Sequence, residues 1–260
     1  CESFAHGSVL MRTFAVPHTW RKSGQALRDL KLPEGMMVGF LCRRDASGSM
    51  KHRQHIFPHG DDFIIPGDEV TVIGKRDAVV NAHQFFGISQ KPFSSAVIVG
   101  GTRIAIHLAK MLEQVGISVR IIEKDYDRCC TLSEKLPYTT ILHHDATDLG
   151  FLNSEKVGKA DVFIACTYRD ELNLLGALLA KEAGCSNIIT TISDTRYVPI
   201  VKSLNVMHVF SPRVSTVNRI LSIIQQDKVS SMISMYDDNA EILEIKVSPE
   251  SRLAGIPISE

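Results

Sequence analysis

The stretch Val97-Ile98-Val99-Gly100-Gly101-Thr102-Arg103-Ile104-Ala105, continued by Ile106-His107-Leu108-Ala109-Lys110-Met111-Leu112, constrains the fold more than any other. An apolar run closes on two glycines, and then Ile104, Leu108 and Leu112 return at helical spacing. That is the pattern of a buried strand, a tight turn and an amphipathic helix. A helix start of this kind presents free backbone N–H groups and the positive end of a dipole, which suits a pyrophosphate. Roughly 20 residues on, Val119-Arg120-Ile121-Ile122 reads as a second strand that ends in Glu123. A carboxylate at that spacing is the one that takes ribose hydroxyls in a dinucleotide fold. As G-x-G-x-x-G, the window supplies Gly100, Thr102 and Ala105. Ala suits the third position, where helix packs closely on strand, but Thr102 at the second is expected to crowd the approach to phosphate. A purely structural strand–helix turn is the alternative.

The same alternation continues downstream. Residues 96–99, 119–122, 139–143, 162–166, 187–192 and 208–210 read as strands. Between and after them, 103–115, 127–136, 147–157, 170–183, 197–204 and 215–225 read as helices, with Thr147 expected to cap the third. Six strands with intervening helices predict an α/β fold, a Rossmann-like doubly wound parallel sheet.

Residues 1–90 read differently, as a small α+β module. Strands are expected at 10–16, 36–42, 52–57 and 70–74, a short helix at 23–30 and a closing helix at 76–86. Past Asp227, strands are expected at 229–235 and 242–247. There is also an echo: Phe14-Ala15-Val16-Pro17 with Ser23-Gly24-Gln25-Ala26-Leu27 resembles Ile245-Lys246-Val247-Ser248-Pro249 with Ala254-Gly255-Ile256-Pro257-Ile258. The first module thus reads as restarting near the end of the sequence. Three segments follow: 1–90, 91–228, and 229–260 as the opening of a second small module. Because the sequence opens at Cys1 and stops at Glu260, it reads as a piece of a longer protein.

Composition narrows the function. A formal net charge of zero gives no electrostatic footprint for nucleic acid, and no run approaches the ~20 apolar residues of a membrane span. Six cysteines without a C-x-x-C pair read as reduced thiols rather than a disulfide framework, with Cys129-Cys130 inside a helix and inert. His52, His55 and His59 have spacings that share a face only on a helix, and the stretch reads as strand and loop, so no metal is expected. No Tyr-x-x-x-Lys and no His-Asp pair stands ready for proton transfer, which argues against an NAD-dependent oxidoreductase.

Several motifs together resemble the TrkA family of potassium-uptake regulators, built from RCK (KTN) domains. Leu30-Lys31-Leu32-Pro33-Glu34-Gly35 and Phe63-Ile64-Ile65-Pro66-Gly67-Asp68-Glu69-Val70-Thr71-Val72-Ile73-Gly74 resemble that family's C-type subdomain. Ile122-Glu123-Lys124-Asp125, His144-Asp145-Ala146-Thr147-Asp148, Ala160-Asp161-Val162-Phe163-Ile164-Ala165 and Val209-Phe210-Ser211-Pro212 resemble its nucleotide subdomain. The resemblance implies a cytoplasmic regulatory subunit, peripheral on the inner face of the membrane. Such a subunit docks beneath a potassium-translocating partner of Trk/Ktr type, self-associates through RCK domains, and binds NAD(H) or an adenine nucleotide without acting on it. It further implies that Gly100, Gly101, Thr102, Arg103 and Ile104 form the phosphate loop, with Arg103 reaching a phosphate. Glu123, with Lys124 beside it, would hold the ribose and Arg128 the adenine side; Asp145 and Ala146 would meet the adenosine, and Cys166 and Thr167 the far half of the ligand. Tyr168-Arg169 departs from the small or acidic residues usual after that Thr, and is expected to alter the mouth of the cleft. A ligand-free half serving only as a structural dimeriser is the alternative.

Overall fold

The computed structural model describes residues 2–44, 53–89, 91–197, 200–201, 208–224, 229–235, 240–245, 247, 250–252 and 254. The chain divides into two units, Cys1–Lys91 with Ile220–Glu260, and Pro92–Arg219.

In the first unit, β1 (Glu2–Phe4), β2 (Val9–Ala15), β3 (Met36–Arg44), β4 (Arg53–Ile56) and β5 (Glu69–Lys75) form an antiparallel sheet in the order β1-β2-β5-β3-β4. Phe14 and Leu41 both lie opposite Val70 of the central strand, and Leu10, Val72, Ile64 and Phe86 complete a dry core. Burial of such side chains contributes roughly 1.5–3 kcal/mol each. Two short helices, α1 (Arg76–Val80) and α2 (Ala82–Phe85), take the place of the single helix expected at 76–86. The helix expected at 23–30 is absent except for a 3-10 turn at Leu27–Asp29. Gly24 has φ +77°, Ala26 is extended and bridges to Phe63, and the N–H groups of Leu27 and Arg28 bond across to the carbonyls of Asp62 and Gly60. Cross-loop acceptors have replaced the i−4 carbonyls a helix would need. His55 lies on β4 opposite Cys42, His59 falls in the loop beyond, and His52 lies outside the described residues.

The second unit carries β6 (Ser95–Val99), α3 (Arg103–Gln114), β7 (Ser118–Glu123), α4 (Tyr126–Lys135), β8 (Thr140–His143) and α5 (Leu149–Ser154). It continues with β9 (Val162–Ala165), α6 (Asp170–Glu182), β10 (Ile188–Thr191), β11 (His208–Phe210) and the first turns of α7 (Pro212–Ile224), whose last residues, from Ile220, belong to the first unit. Its six strands are all parallel, in the order β11-β10-β9-β6-β7-β8. The doubly wound sheet expected from the alternation is therefore present. Both faces of its centre are apolar: Val97 and Val99 pack with Leu152, Phe163 and Ala177, while Ala96 and Ile98 pack with Ala105, Ala109 and Leu132.

Two local expectations are corrected here. The helix expected at 147–157 is only α5, and its N-cap is Asp148, whose carboxylate accepts from Phe151 N at 3.1 Å, not Thr147. Thr147 is diverted because its own N–H and hydroxyl both donate to Asp145. Of the helix expected at 197–204, residues 195–197 form a 3-10 turn and 200–201 are helical; the rest lies outside the described residues.

Beyond α7, β12 (Val229–Met235) and β13 (Ala240–Ile245) make an antiparallel hairpin. The echo at 248–249 and 255–258 lies outside the described residues.

Candidate functional site

The C-terminal ends of β6, β7, β8 and β9 surround a single cleft of about 390 Å³. The chain runs outward from β6 to β8, then crosses back to β9 and runs outward again, so the order reverses between β6 and β9. Open parallel sheets bind ligands at this switch point, because the loops on either side diverge there and leave a crevice.

The β6–α3 turn forms one wall. Gly100 has φ +101°, and a Cβ there would stand 2.9–3.1 Å from atoms of Thr167. At Gly101 a Cβ would meet a Glu123 carboxylate oxygen at 2.8 Å and Leu132 at 3.0 Å. Neither position admits a side chain without displacing a neighbour, so the backbone itself faces the crevice.

Thr102 does not behave as its place in the motif predicted. It is the N-cap of α3: its hydroxyl accepts from Ala105 N at 3.2 Å and donates to the Cys166 carbonyl at 2.9 Å. With 2 % of its surface exposed, its side chain is buried against the end of β9 rather than raised in the path of a phosphate.

Glu123, at the end of β7, is nearly buried and accepts from the N–H of Gly101 and from Asp125 N, the latter at 2.9 Å. Its carboxylate is thus clamped between the β6–α3 turn and the start of α4. Beyond it, the Lys124 ammonium lies 2.7 Å from Asp145, which also receives Thr147 N at 3.0 Å and the Thr147 hydroxyl at 2.8 Å. The hydrogen bond from Lys124, reinforced by the two from Thr147, holds the Asp145 carboxyl down at about 2. The His144 ring is stacked on Phe151 with centroids 3.9 Å apart.

On the β9 side, burial pushes the Cys166 thiol up to about 11, so it is neutral at physiological pH and a poor nucleophile. The next residue is held by a buried amide. Asn173 Oδ1 lies 2.7 Å from both Thr167 N and Thr167 Oγ1, and its Nδ2 lies 3.0–3.1 Å from the carbonyls of Thr167 and Thr191 and the Thr191 hydroxyl. Across the cleft, the Arg128 guanidinium of α4 sits 5.8 Å from the centre of the Tyr168 ring.

Of the residues singled out in sequence, Gly100, Gly101, Thr102, Glu123, Lys124, Arg128, Asp145, Ala146 and Thr167 line this cleft. Arg103 and Ile104 are exposed on the first turn of α3 and Cys166 is buried behind Thr102; these three do not line it. Val99, Ile122, His144, Thr147, Tyr168, Arg169 and Leu172 complete the lining. Asn173 escaped the sequence reading altogether. Its signal was a lone amide on the helix stripe otherwise made by Gly176, Ala177 and Ala180.

Fold and cleft together define a Rossmann-like α/β domain in a chain that also contains a small antiparallel module. Residues 96–212, just under half of the chain, match the TrkA-N domain family. The chain is 31% identical over all 260 residues to the Trk system potassium uptake protein trkA homolog 1 of Methanosarcina mazei, covering 62% of that protein. It is 30% identical over 255 residues to the TrkA homolog of Archaeoglobus fulgidus, which covers 97% of this chain and 55% of that one. With TrkA of Halomonas elongata the identity is 31% over 216 residues, 81% of this chain and 47% of that protein. The chain therefore spans about half to three-fifths of these relatives. Among solved structures, the GsuK RCK domain superposes with a TM-score of 0.55 at 13% identity, covering 85% of this chain and 46% of that one. A GsuK channel bound to NAD gives the same TM-score and identity, covering 38% of that chain. The shared fold is that of RCK domains, and the TrkA resemblance read from the motifs is borne out.

Proposed function

We propose that this chain is the nucleotide-sensing part of a regulatory subunit in a Trk/Ktr-type potassium transport system. It binds NAD(H) or an adenine nucleotide in the β6–β9 cleft and passes the bound state to a potassium-translocating membrane partner, from a cytoplasmic, peripheral position. The observation that carries the reading is the seating of Glu123 at the rim of a side-chain-free phosphate turn. The whole-length similarity to Trk system potassium uptake proteins, and the NAD named with a GsuK channel of the same fold, support it further.

The residues fit such a ligand. At Gly100 and Gly101 a Cβ would collide with Thr167 and Glu123, so the turn presents bare backbone to the cleft, and the first N–H groups of α3 have no intrahelical acceptors. Glu123 retains acceptor capacity for ribose hydroxyls after its two backbone donors are counted. Arg103, exposed at the first position of α3, offers a mobile cation beside that turn, and Asp145 and Ala146 border the adenosine end. A nicotinamide ligand carries hydride chemistry, but this site uses only its occupancy. Cys166 is held as a thiol, and Asp145 is committed to Lys124 and Thr147 of its own chain. A ligand of this kind acts solely through its different affinities for two arrangements of the protein. Residues 229–260 are proposed to open a second small module, so that the parent protein repeats nucleotide domain and module, and its halves self-associate.

Calorimetry of NADH, NAD and ATP against the wild type and a Glu123→Gln, Arg103→Ala variant tests the reading. Micromolar binding that the variant loses, without NADH oxidation in the presence of small carbonyl substrates, is the expected result. Absence of nucleotide binding would leave a structural dimeriser, and turnover would make the protein an enzyme.

A further inference from the structure

Tyr168 is a large aromatic side chain, 68% exposed, at the mouth of a polar cleft. Its backbone is not free to carry it elsewhere. Thr167 is pinned by the buried Asn173 amide, the Arg169 N–H closes onto the Thr167 hydroxyl at 3.2 Å, and the segment packs directly on Gly100. The ring therefore projects from a fixed loop on the β9 side. Opposite it, Arg128 projects from α4, and among the described residues its guanidinium has no carboxylate partner. It rests instead on the face of Tyr168, 5.8 Å from the centroid, within the range of a cation–π contact. The two side chains, both lining the cleft, bridge it from the β7–α4 side to the β9–α6 side.

We propose that Tyr168 tempers this cleft's preference for phosphorylated ligands: its ring holds the Arg128 guanidinium across the mouth, and a nucleotide gains Arg128 as a phosphate partner, in place of the adenine-side role that the resemblance implies, only by lifting it off the ring. The inference rests on the nucleotide-binding reading above and names the part of the ligand that feels the bridge. A phosphate oxygen makes a charge-assisted, bidentate bond with a guanidinium that is stronger than an exposed cation–π contact, so the exchange is favourable but opposed. An unphosphorylated nucleoside offers Arg128 no anionic oxygen and leaves the bridge closed. Tyr168 thus lowers the advantage of phosphorylated over unphosphorylated ligands, through a side chain that itself touches no phosphate.

The test compares ADP, NADH and adenosine binding to the full chain as wild type, Tyr168→Ala, Tyr168→Phe and Arg128→Met, and to the Tyr168→Ala, Arg128→Met double variant. Tyr168→Ala is expected to tighten ADP and NADH by roughly two- to five-fold, the size of the released contact, and to leave adenosine unchanged. Tyr168→Phe keeps the ring face and should return wild-type values. In the Arg128→Met background the Tyr168→Ala gain should vanish. Weaker binding of all three ligands to Tyr168→Ala would make the ring a stacking platform for the base and overturn the proposal, as would unchanged ADP affinity. In ligand-free protein, the Arg128 Nε–H resonance should lose a ring-current shift on Tyr168→Ala; an unmoved resonance overturns the bridge independently of any ligand. Failure of every nucleotide to bind both wild type and Tyr168→Ala would instead bring down the nucleotide-binding reading, and this inference with it.

Discussion

Replacing Thr102 by Val keeps the shape of the side chain and deletes one oxygen that does two tasks. That oxygen caps α3 through Ala105 N and donates to the Cys166 carbonyl, both in a site that water does not reach. Loss of a Thr cap costs about 1 kcal/mol. Leaving the Cys166 carbonyl without its buried donor costs about 1 kcal/mol more, in the range for a hydrogen bond lost on one side. The two effects share a single atom and are local, so a total of about 2 kcal/mol is expected, a drop in Tm of roughly 4–8 °C for a chain of this size. Thr102→Gly tests the other half of the argument. It restores the glycine that the G-x-G pattern calls for, and glycine is only slightly worse than threonine as a cap. If the Thr102 side chain already lies clear of the phosphate path, Thr102→Gly leaves nucleotide affinity within about two-fold of wild type while lowering stability through the Cys166 carbonyl. Thermal unfolding followed by circular dichroism, with calorimetry of NADH, reads both. An unchanged Tm for Thr102→Val, or ten-fold tighter NADH binding by Thr102→Gly, would refute the reasoning.

Gly100→Ala places a methyl group against Thr167 in a backbone region that L-residues avoid, so nucleotide affinity should fall at least ten-fold and Tm should drop; wild-type calorimetry from this variant would contradict the packing. Asn173→Leu, close to isosteric, removes the donors and acceptor that tie Thr167 to Thr191, and a loss of about 2–4 kcal/mol in urea unfolding is expected. For Asp145 the folded value near 2 lies below the unfolded value of about 3.9, so its contribution is present above about pH 4 and lost as pH falls through 2. Asp145→Asn should accordingly lower Tm modestly at pH 7, with the gap to wild type closing below pH 4; a gap that widens on acidification would reverse the assigned sign.

Much of the second unit could be read from the chain because its strands are buried on both faces. Runs such as 96–99 and 162–165 are continuous apolar segments, and they are separated by helices whose periodicity is hard to mistake. The site was legible where chemistry is carried by residue type and spacing, as at Gly100, Gly101 and Glu123. It was less legible where a side chain's partner is distant in sequence. Nothing near Thr102 announces that its hydroxyl will be taken up by the carbonyl of Cys166, a bond that draws the side chain toward the end of β9. Thr147 shows the same limit at short range: Asp145 and Asp148 compete to organise one turn, and propensity alone does not say which becomes the cap. In the first unit the misread stretch, 23–30, is one where the N–H groups of Gly24, Leu27 and Arg28 are satisfied by residues more than thirty positions away.

The clamping of Glu123 bears on how quickly such a cleft can respond. A flexible carboxylate would have to give up rotamer freedom each time a ribose arrived, weakening the complex and adding a rearrangement to each encounter. Here two backbone N–H groups fix its orientation when the chain folds, so the ordering is part of the native state. Under the proposed function, arrival of a nucleotide then requires little of Glu123 itself, so occupancy is expected to follow nucleotide concentration on the timescale of diffusion and release.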